Sequence, residues 1–204
     1  MNKFIYILVF FLFCSLSCKK QSETPKACCK KSAETTNLLK ITDESIFNID
    51  NTWTTQNNDT LKLSHWDGKI TVAAMVFTHC PSACPRIVAD MQRIEAALSK
   101  DELKQVTFLL ISMDPERDNP ARLKEFAAEH QLNNNWTLIT ANQDATMVIA
   151  NVLGVRIKKL SGGGFDHSNI IHIIDTNGNI KYQQNGLAVE PIETIKIVKS
   201  LTNK

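Results

Sequence analysis

Thr71-Val72-Ala73-Ala74-Met75-Val76-Phe77 and Val106-Thr107-Phe108-Leu109-Leu110-Ile111-Ser112-Met113 are the two runs on which the fold of this chain turns. Each is apolar without alternation, the pattern of a strand covered on both faces. Between them Ile87, Val88, Met91, Ile94 and Leu98 recur at helical spacing. A strand, a helix and a strand joined over this length make a right-handed βαβ unit, so the two strands are expected to be parallel. That places the chain in the α/β class.

The pattern continues on both sides. Asn119-Pro120 supplies a helix cap followed by proline at the first helical position, and Leu123, Phe126 and Ala127 carry the helix onward. Trp136 to Thr140 predicts a short strand and Ala145 to Leu153 a helix. Asn169 to Asp175 and Asn179 to Gln184 flank Thr176-Asn177-Gly178, which predicts a hairpin. Ile192, Ile195, Val198 and Leu201 predict a closing amphipathic helix. Upstream, Ile46 to Leu63 predicts an N-terminal β-hairpin turning at Asn57-Asn58-Asp59. The sum is a central mixed sheet flanked by helices, with that hairpin as an extension.

Composition agrees with a single folded domain. The chain has 204 residues, 43% of them apolar, and its 23 basic and 21 acidic side chains leave a formal charge of +2. So weak a field does not argue for a nucleic-acid surface. Seven Gly and six Pro exclude a collagenous or low-complexity chain.

The six cysteines are unevenly spread, and two groups lie ahead of the domain. Phe4 to Cys18 carries no charge; as a helix it would reach about 22 Å, short of the roughly 30 Å hydrocarbon core. That is the length of a signal peptide. It ends in Ser15-Leu16-Ser17-Cys18, similar to the lipobox of bacterial lipoproteins, in which the cysteine is lipidated and becomes the mature N-terminus. Ser15-x-Ser17 also fits an ordinary secretory cleavage site, and both readings export the protein. The expected division is a signal peptide over 1–17, a polar tether over 18–44 and one domain over 45–204. The tether holds Cys28-Cys29, whose adjacent Cα atoms, about 3.8 Å apart, are too close for an unstrained disulfide.

The chemistry is expected where the first parallel strand ends, because open α/β sheets build sites beyond the carboxyl ends of their strands. Phe77-Thr78-His79-Cys80-Pro81-Ser82-Ala83-Cys84-Pro85 occupies that point. An early helical turn would bring the sulfurs of Cys80 and Cys84 to one face, and the helix N-terminus would favour thiolate. Such a pair can close a disulfide, structural or redox-active, or share a soft metal. By the same geometry Asp114, ending the second parallel strand, lies on that edge, as a turn carboxylate or a residue behind the site. His167, in Gly162-Gly163-Gly164-Phe165-Asp166-His167-Ser168, reaches the edge if the next strand runs antiparallel, and the glycines would let its loop close on a ligand. His79 is expected to point away from Cys80 if the strand persists. His172 alternates within its strand and reads as packed; His65 and His130 read as surface. Two thiolates and an imidazole suit Cu(I) and can rearrange for Cu(II), while Zn²⁺ would accept them with a fourth ligand.

Taken in order, Phe77-Thr78-His79-Cys80-Pro81-x-x-Cys84-Pro85, Ile111-Ser112-Met113-Asp114-Pro115-Glu116-Arg117-Asp118 and Asp166-His167-Ser168 resemble the motifs of the Sco/SenC family of copper-binding proteins. The resemblance runs from about Ser45 to the C-terminus. It implies a thioredoxin-like fold and copper, Cu(I) or Cu(II), held by Cys80, Cys84 and His167. It also implies a partner, the copper A subunit of cytochrome c oxidase, to which copper is delivered or whose cysteines are reduced, with an upstream copper donor or thiol reductant behind it. Ser82 stands where the family often has an acidic residue, Arg86 replaces an acidic helix start, and a lipid anchor at Cys18 would replace the usual membrane helix. Two other functions share the cysteine arrangement. Thioredoxins resemble one another in a cis-proline facing the cysteine pair, yet no proline lies between Pro120 and Pro191, and His167 occupies that stretch. Peroxiredoxins resemble one another in a threonine three residues before the reactive cysteine, whereas Thr78 is two before Cys80.

Overall fold

A computed structural model describes residues 42–203. The expected signal peptide, Cys18, Cys28 and Cys29 lie outside the described residues. In chain order the elements are β1 (Trp53–Thr55), β2 (Thr60–Leu61), β3 (Ile70–Val76), α1 (Ala83–Ala96), α2 (Lys100–Leu103), β4 (Val106–Ser112), α3 (Pro120–Glu129), β5 (Trp136–Thr140), α4 (Gln143–Leu153), β6 (Ile157–Lys159), β7 (Phe165–His167), β8 (Ile170–Ile174), β9 (Ile180–Asn185) and α5 (Ile192–Thr202). Two short 3₁₀ turns, Ile46–Asn48 and Leu63–Trp66, flank the first hairpin.

Seven strands make one mixed sheet in the order β2-β1-β5-β4-β3-β8-β9. β3 and β4 are parallel from Ile70 opposite Val106 to Val76 opposite Ser112, and β5 extends the parallel set. All seven residues of β3 are buried, which is why that run carries no polar alternation. β8 lies antiparallel to β3 and β9 to β8, so the chain enters β8 at the edge where β3 ends. This is a thioredoxin-like α/β arrangement with the N-terminal hairpin added at one side, where β1 pairs with β5.

Helices α3 and α4 begin where side chains satisfy their free N–H groups. Asn119 accepts from the Arg122 N–H at 2.9 Å with Pro120 next in line, and Asn142 accepts from the Ala145 N–H at 2.8 Å. Gly154 closes α4 in the left-handed conformation. Gly178 is required for a different reason. At φ +82° an added Cβ would lie 2.3 Å from Ser45 Oγ and 2.8 Å from the Phe47 ring, so the β8–β9 turn is the seat on which the segment entering the domain docks. Thr42 is already held there, hydrogen-bonded through its hydroxyl to Asn179.

The short helix α2 and a ribbon escape the sequence patterns. β6 and β7 form a separate two-stranded ribbon, with Ile157 opposite His167. Its five-residue exit, Leu160 to Gly164, is a bonded turn in which Leu160 N–H donates to Gly164 O and Gly163 N–H to Leu160 O. The glycines therefore shape a hairpin turn.

Candidate metal centre

The strand that carries the motif stops at Val76. The chain then turns, and Cys80 N–H donates to Phe77 O at 3.1 Å. Helix α1 starts only at Ala83, so Cys80 lies ahead of the helix and not in its first turn as the spacing suggested. The sulfurs are nevertheless brought together by a different contact. Ser82, at the cap position, makes no capping bond, and Cys80 Sγ instead accepts the Cys84 N–H at 3.3 Å. One sulfur thus occupies the positive end of the α1 dipole, where negative charge is favoured. Cys84 Sγ accepts from the Phe77 N–H at 3.4 Å.

The two cysteines are free thiols that differ in exposure: Cys80 is half-buried and Cys84 fully buried. Burial pushes the Cys84 thiol far above its usual range, and the neighbouring Cys80 and Asp118 add to the shift against the opposing Phe77 N–H. Without a metal Cys84 is therefore a protonated thiol, and binding a soft cation would release its proton.

His167 is the last residue of β7, and the antiparallel β8 brings it to this edge as expected. Its Nδ1 lies 3.1 Å from the Ser168 carbonyl, which can only accept, so Nδ1 carries the proton and Nε2 the lone pair. That Nε2 faces Cys84 Sγ at 3.9 Å. Edge contacts from Phe77, itself packed against Phe165, hold the ring. A cavity of about 460 Å³ opens here, with Phe77, His79, Cys80, Arg117, Phe165 and His167 among its walls. A larger cavity, about 680 Å³, lies between the β1–β2 hairpin and α3, but its walls carry no thiol and none of the motif residues.

Asp114 sits at the end of β4 and is buried. It touches neither sulfur; it receives the Arg117 Nε–H, while Arg117 Nη2 donates to Gly163 O in the ribbon turn leading to His167. One route of its influence on the site therefore runs through an arginine and a turn. His79 departs from expectation. Because the strand ends at Val76, alternation no longer applies, and His79 lines the same cavity as Cys80.

Sequence reasoning passed over Asp118. It has no exposed surface and accepts from the Thr78 N–H, the Thr78 hydroxyl at 2.6 Å and the Ser112 hydroxyl at 2.7 Å, while Arg122 donates to the hydroxyl and carbonyl of Thr78. Both Thr78 and Asp118 stood in the quoted motifs, but nothing local links residues 40 apart. His79, Asp114 and Asp118 bring one donor atom each within 4.8 Å of one another. The partners just named already occupy those carboxylates, so this group reads as the frame of the Cys80 turn. His172 is packed as expected, its Nε2 hydrogen-bonded to Leu153 O, and burial lowers its pKa.

Cys80 on the cavity wall, Cys84 buried next to it and the neutral imidazole of His167 are donor types that suit a soft, low-coordinate cation. Comparison with known proteins agrees in fold. A SCO1/SenC lipoprotein from Bacillus anthracis is 26% identical with a TM-score of 0.68, covering 74% of this chain and 91% of its own. ScoI of Bradyrhizobium japonicum, solved with copper bound, is 26% identical with a TM-score of 0.64, covering 74% and 96%. BsSco, a member of the Sco family of cytochrome c oxidase assembly proteins in which a disulfide switch has been identified, is 28% identical with a TM-score of 0.64, covering 74% and 91%. The family model SCO1/SenC matches residues 40–203, which takes in the three motifs and every strand of the sheet, and the chain belongs to that family.

Proposed function

We propose that this chain is a copper metallochaperone that holds one copper ion through Cys80, Cys84 and His167 and passes it to the copper A site of a cytochrome c oxidase. The observation that carries the reading is the unprotonated Nε2 of His167 facing the sulfur of buried Cys84 at 3.9 Å. A disulfide needs no imidazole at that point, whereas a Cu(I) ion held by one accessible and one buried thiolate is completed by it. Copper bound to the Bradyrhizobium japonicum relative and the oxidase-assembly role of the BsSco group support the reading. So do the family's usual roles for the three motif residues.

A second reading has its own support. Cys80 is accessible and sits at a helix N-terminus with a buried partner thiol beside it, the layout of an attacking and a resolving sulfur. The chain would then reduce the copper A cysteines of its target, either before copper transfer or in place of it. In both readings it works as an exported lipoprotein, acylated at Cys18, tethered over 18–44 and facing the periplasm of a bacterium. The apolar run Phe4 to Phe13, ending in Ser15-Leu16-Ser17-Cys18, and the Bacillus anthracis lipoprotein support that.

His167→Ala separates the two readings. Copper bound per chain should fall well below one, most of all for Cu(II), which prefers nitrogen, while the Cys80–Cys84 dithiol still cycles with a small-molecule disulfide. Normal copper loading of the oxidase in cells carrying only His167→Ala, grown at limiting copper, would overturn the chaperone reading in favour of the reductase.

A further inference from the structure

His79 is exposed, with 44% of its side chain open to solvent, and it shares the cavity wall with Cys80 and His167. Its orientation is set from behind. The Thr78 hydroxyl donates its single proton to Asp118 Oδ1 at 2.6 Å, since a carboxylate only accepts. Thr78 Oγ1 must therefore accept from its other neighbours, Arg122 Nε at 3.0 Å and His79 Nδ1 at 3.2 Å. The His79 proton is then on Nδ1, and Nε2 keeps its lone pair. An imidazole whose far nitrogen is tied to a hydroxyl and carboxylate is the usual arrangement of a metal-ligating histidine. Three ligands already complete a Cu(I) site, so this fourth one has no resident role to fill.

We propose that His79 is the exchange ligand of the copper site, the group through which copper enters and leaves. The inference rests on the copper reading above. Cys84 is buried, whereas half-buried Cys80 lines the open cavity, and His79, its neighbour in sequence, lines the same wall and is the more exposed of the two. In the exchange step a Cu–N bond to His79 Nε2 forms as the bond to His167 Nε2 breaks. Copper remains Cu(I), and no proton moves because Nδ1–H stays on Thr78 Oγ1. The ion is then held from the open side of the cavity, within reach of an acceptor's thiolate.

The test uses the full chain in detergent, loaded anaerobically with one equivalent of Cu(I) and mixed with bathocuproine disulfonate in a stopped-flow spectrometer. His79→Ala and His79→Gln should each retain one copper per chain but release it about tenfold or more slowly than the wild type. His65→Ala, in an exposed histidine that lines the other cavity, should release at the wild-type rate. Release from both His79 variants within about twofold of wild type would overturn the inference and leave the copper reading standing. Loss of copper from both variants would also overturn it, by making His79 a resident ligand. A wild-type chain that takes up no copper would remove the copper reading itself, and the exchange role with it.

Discussion

Replacing Asp118 by alanine removes a carboxylate with no exposed surface that accepts from Thr78 N–H at 3.2 Å, from the Thr78 hydroxyl at 2.6 Å and from the Ser112 hydroxyl at 2.7 Å. Hydrogen bonds to a charged acceptor contribute about 1.5–3 kcal/mol each, but the two hydroxyls can turn toward other partners, whereas the Thr78 N–H cannot and would be orphaned. The net loss should be about 3–5 kcal/mol, the range for unpairing a buried charged network. In a chain of this size each kcal/mol shifts Tm by about 2–4 °C, so the variant should melt roughly 6–20 °C lower. Asp118→Asn keeps one acceptor and offers an amide N–H to Ser112 Oγ, so its loss should be about 1–2 kcal/mol. Urea unfolding followed by circular dichroism measures both. Because Asp118 fixes the turn that presents Cys80, copper retention should fall in the same order. An alanine variant within about 1 kcal/mol of wild type would refute the view that this buried network frames the site.

Asp114→Asn should leave copper stoichiometry near one while weakening affinity by about 10- to 100-fold, because Asp114 acts on the site through Arg117, the Gly163 turn and nearby His79; complete loss of metal by equilibrium dialysis would make it a ligand. The elevated thiol of Cys84 predicts that iodoacetamide at pH 8 alkylates Cys80 far faster than Cys84 in the native copper-free chain, as peptide mass spectrometry would read out. His172 is buried as the neutral imidazole with its pKa lowered, so below about 6.5 the unfolded chain binds a proton that the native state refuses. Its contribution is constant above that pH and is lost as pH falls toward the lowered native value. Urea midpoints should therefore decline as pH falls below about 6.5, and His172→Gln should flatten that decline.

The sequence by itself determined the α/β class, the parallel pairing of the two central strands and most of the elements around them. Unbroken apolar runs, helical spacing and the cap Asn119 are local signals that act over a few residues, and the structure reproduces them. The position of Cys80 and Cys84 at the end of β3 was legible for the same reason, since a site at the carboxyl edge follows once the strands are parallel. Tertiary structure decided what lies around those sulfurs. The halt of β3 at Val76 brought His79 into the cavity against the alternation rule, and the cap left vacant by Ser82 was filled by a cysteine sulfur. The ribbon that presents His167 has strands of three residues, too short for any periodicity to register. Asp118 meets Thr78 across 40 positions, Arg117 meets Gly163 across 46, and Cys84 meets His167 across 83. Such contacts are set by how the sheet aligns its strand ends, and no local pattern of residues encodes that alignment.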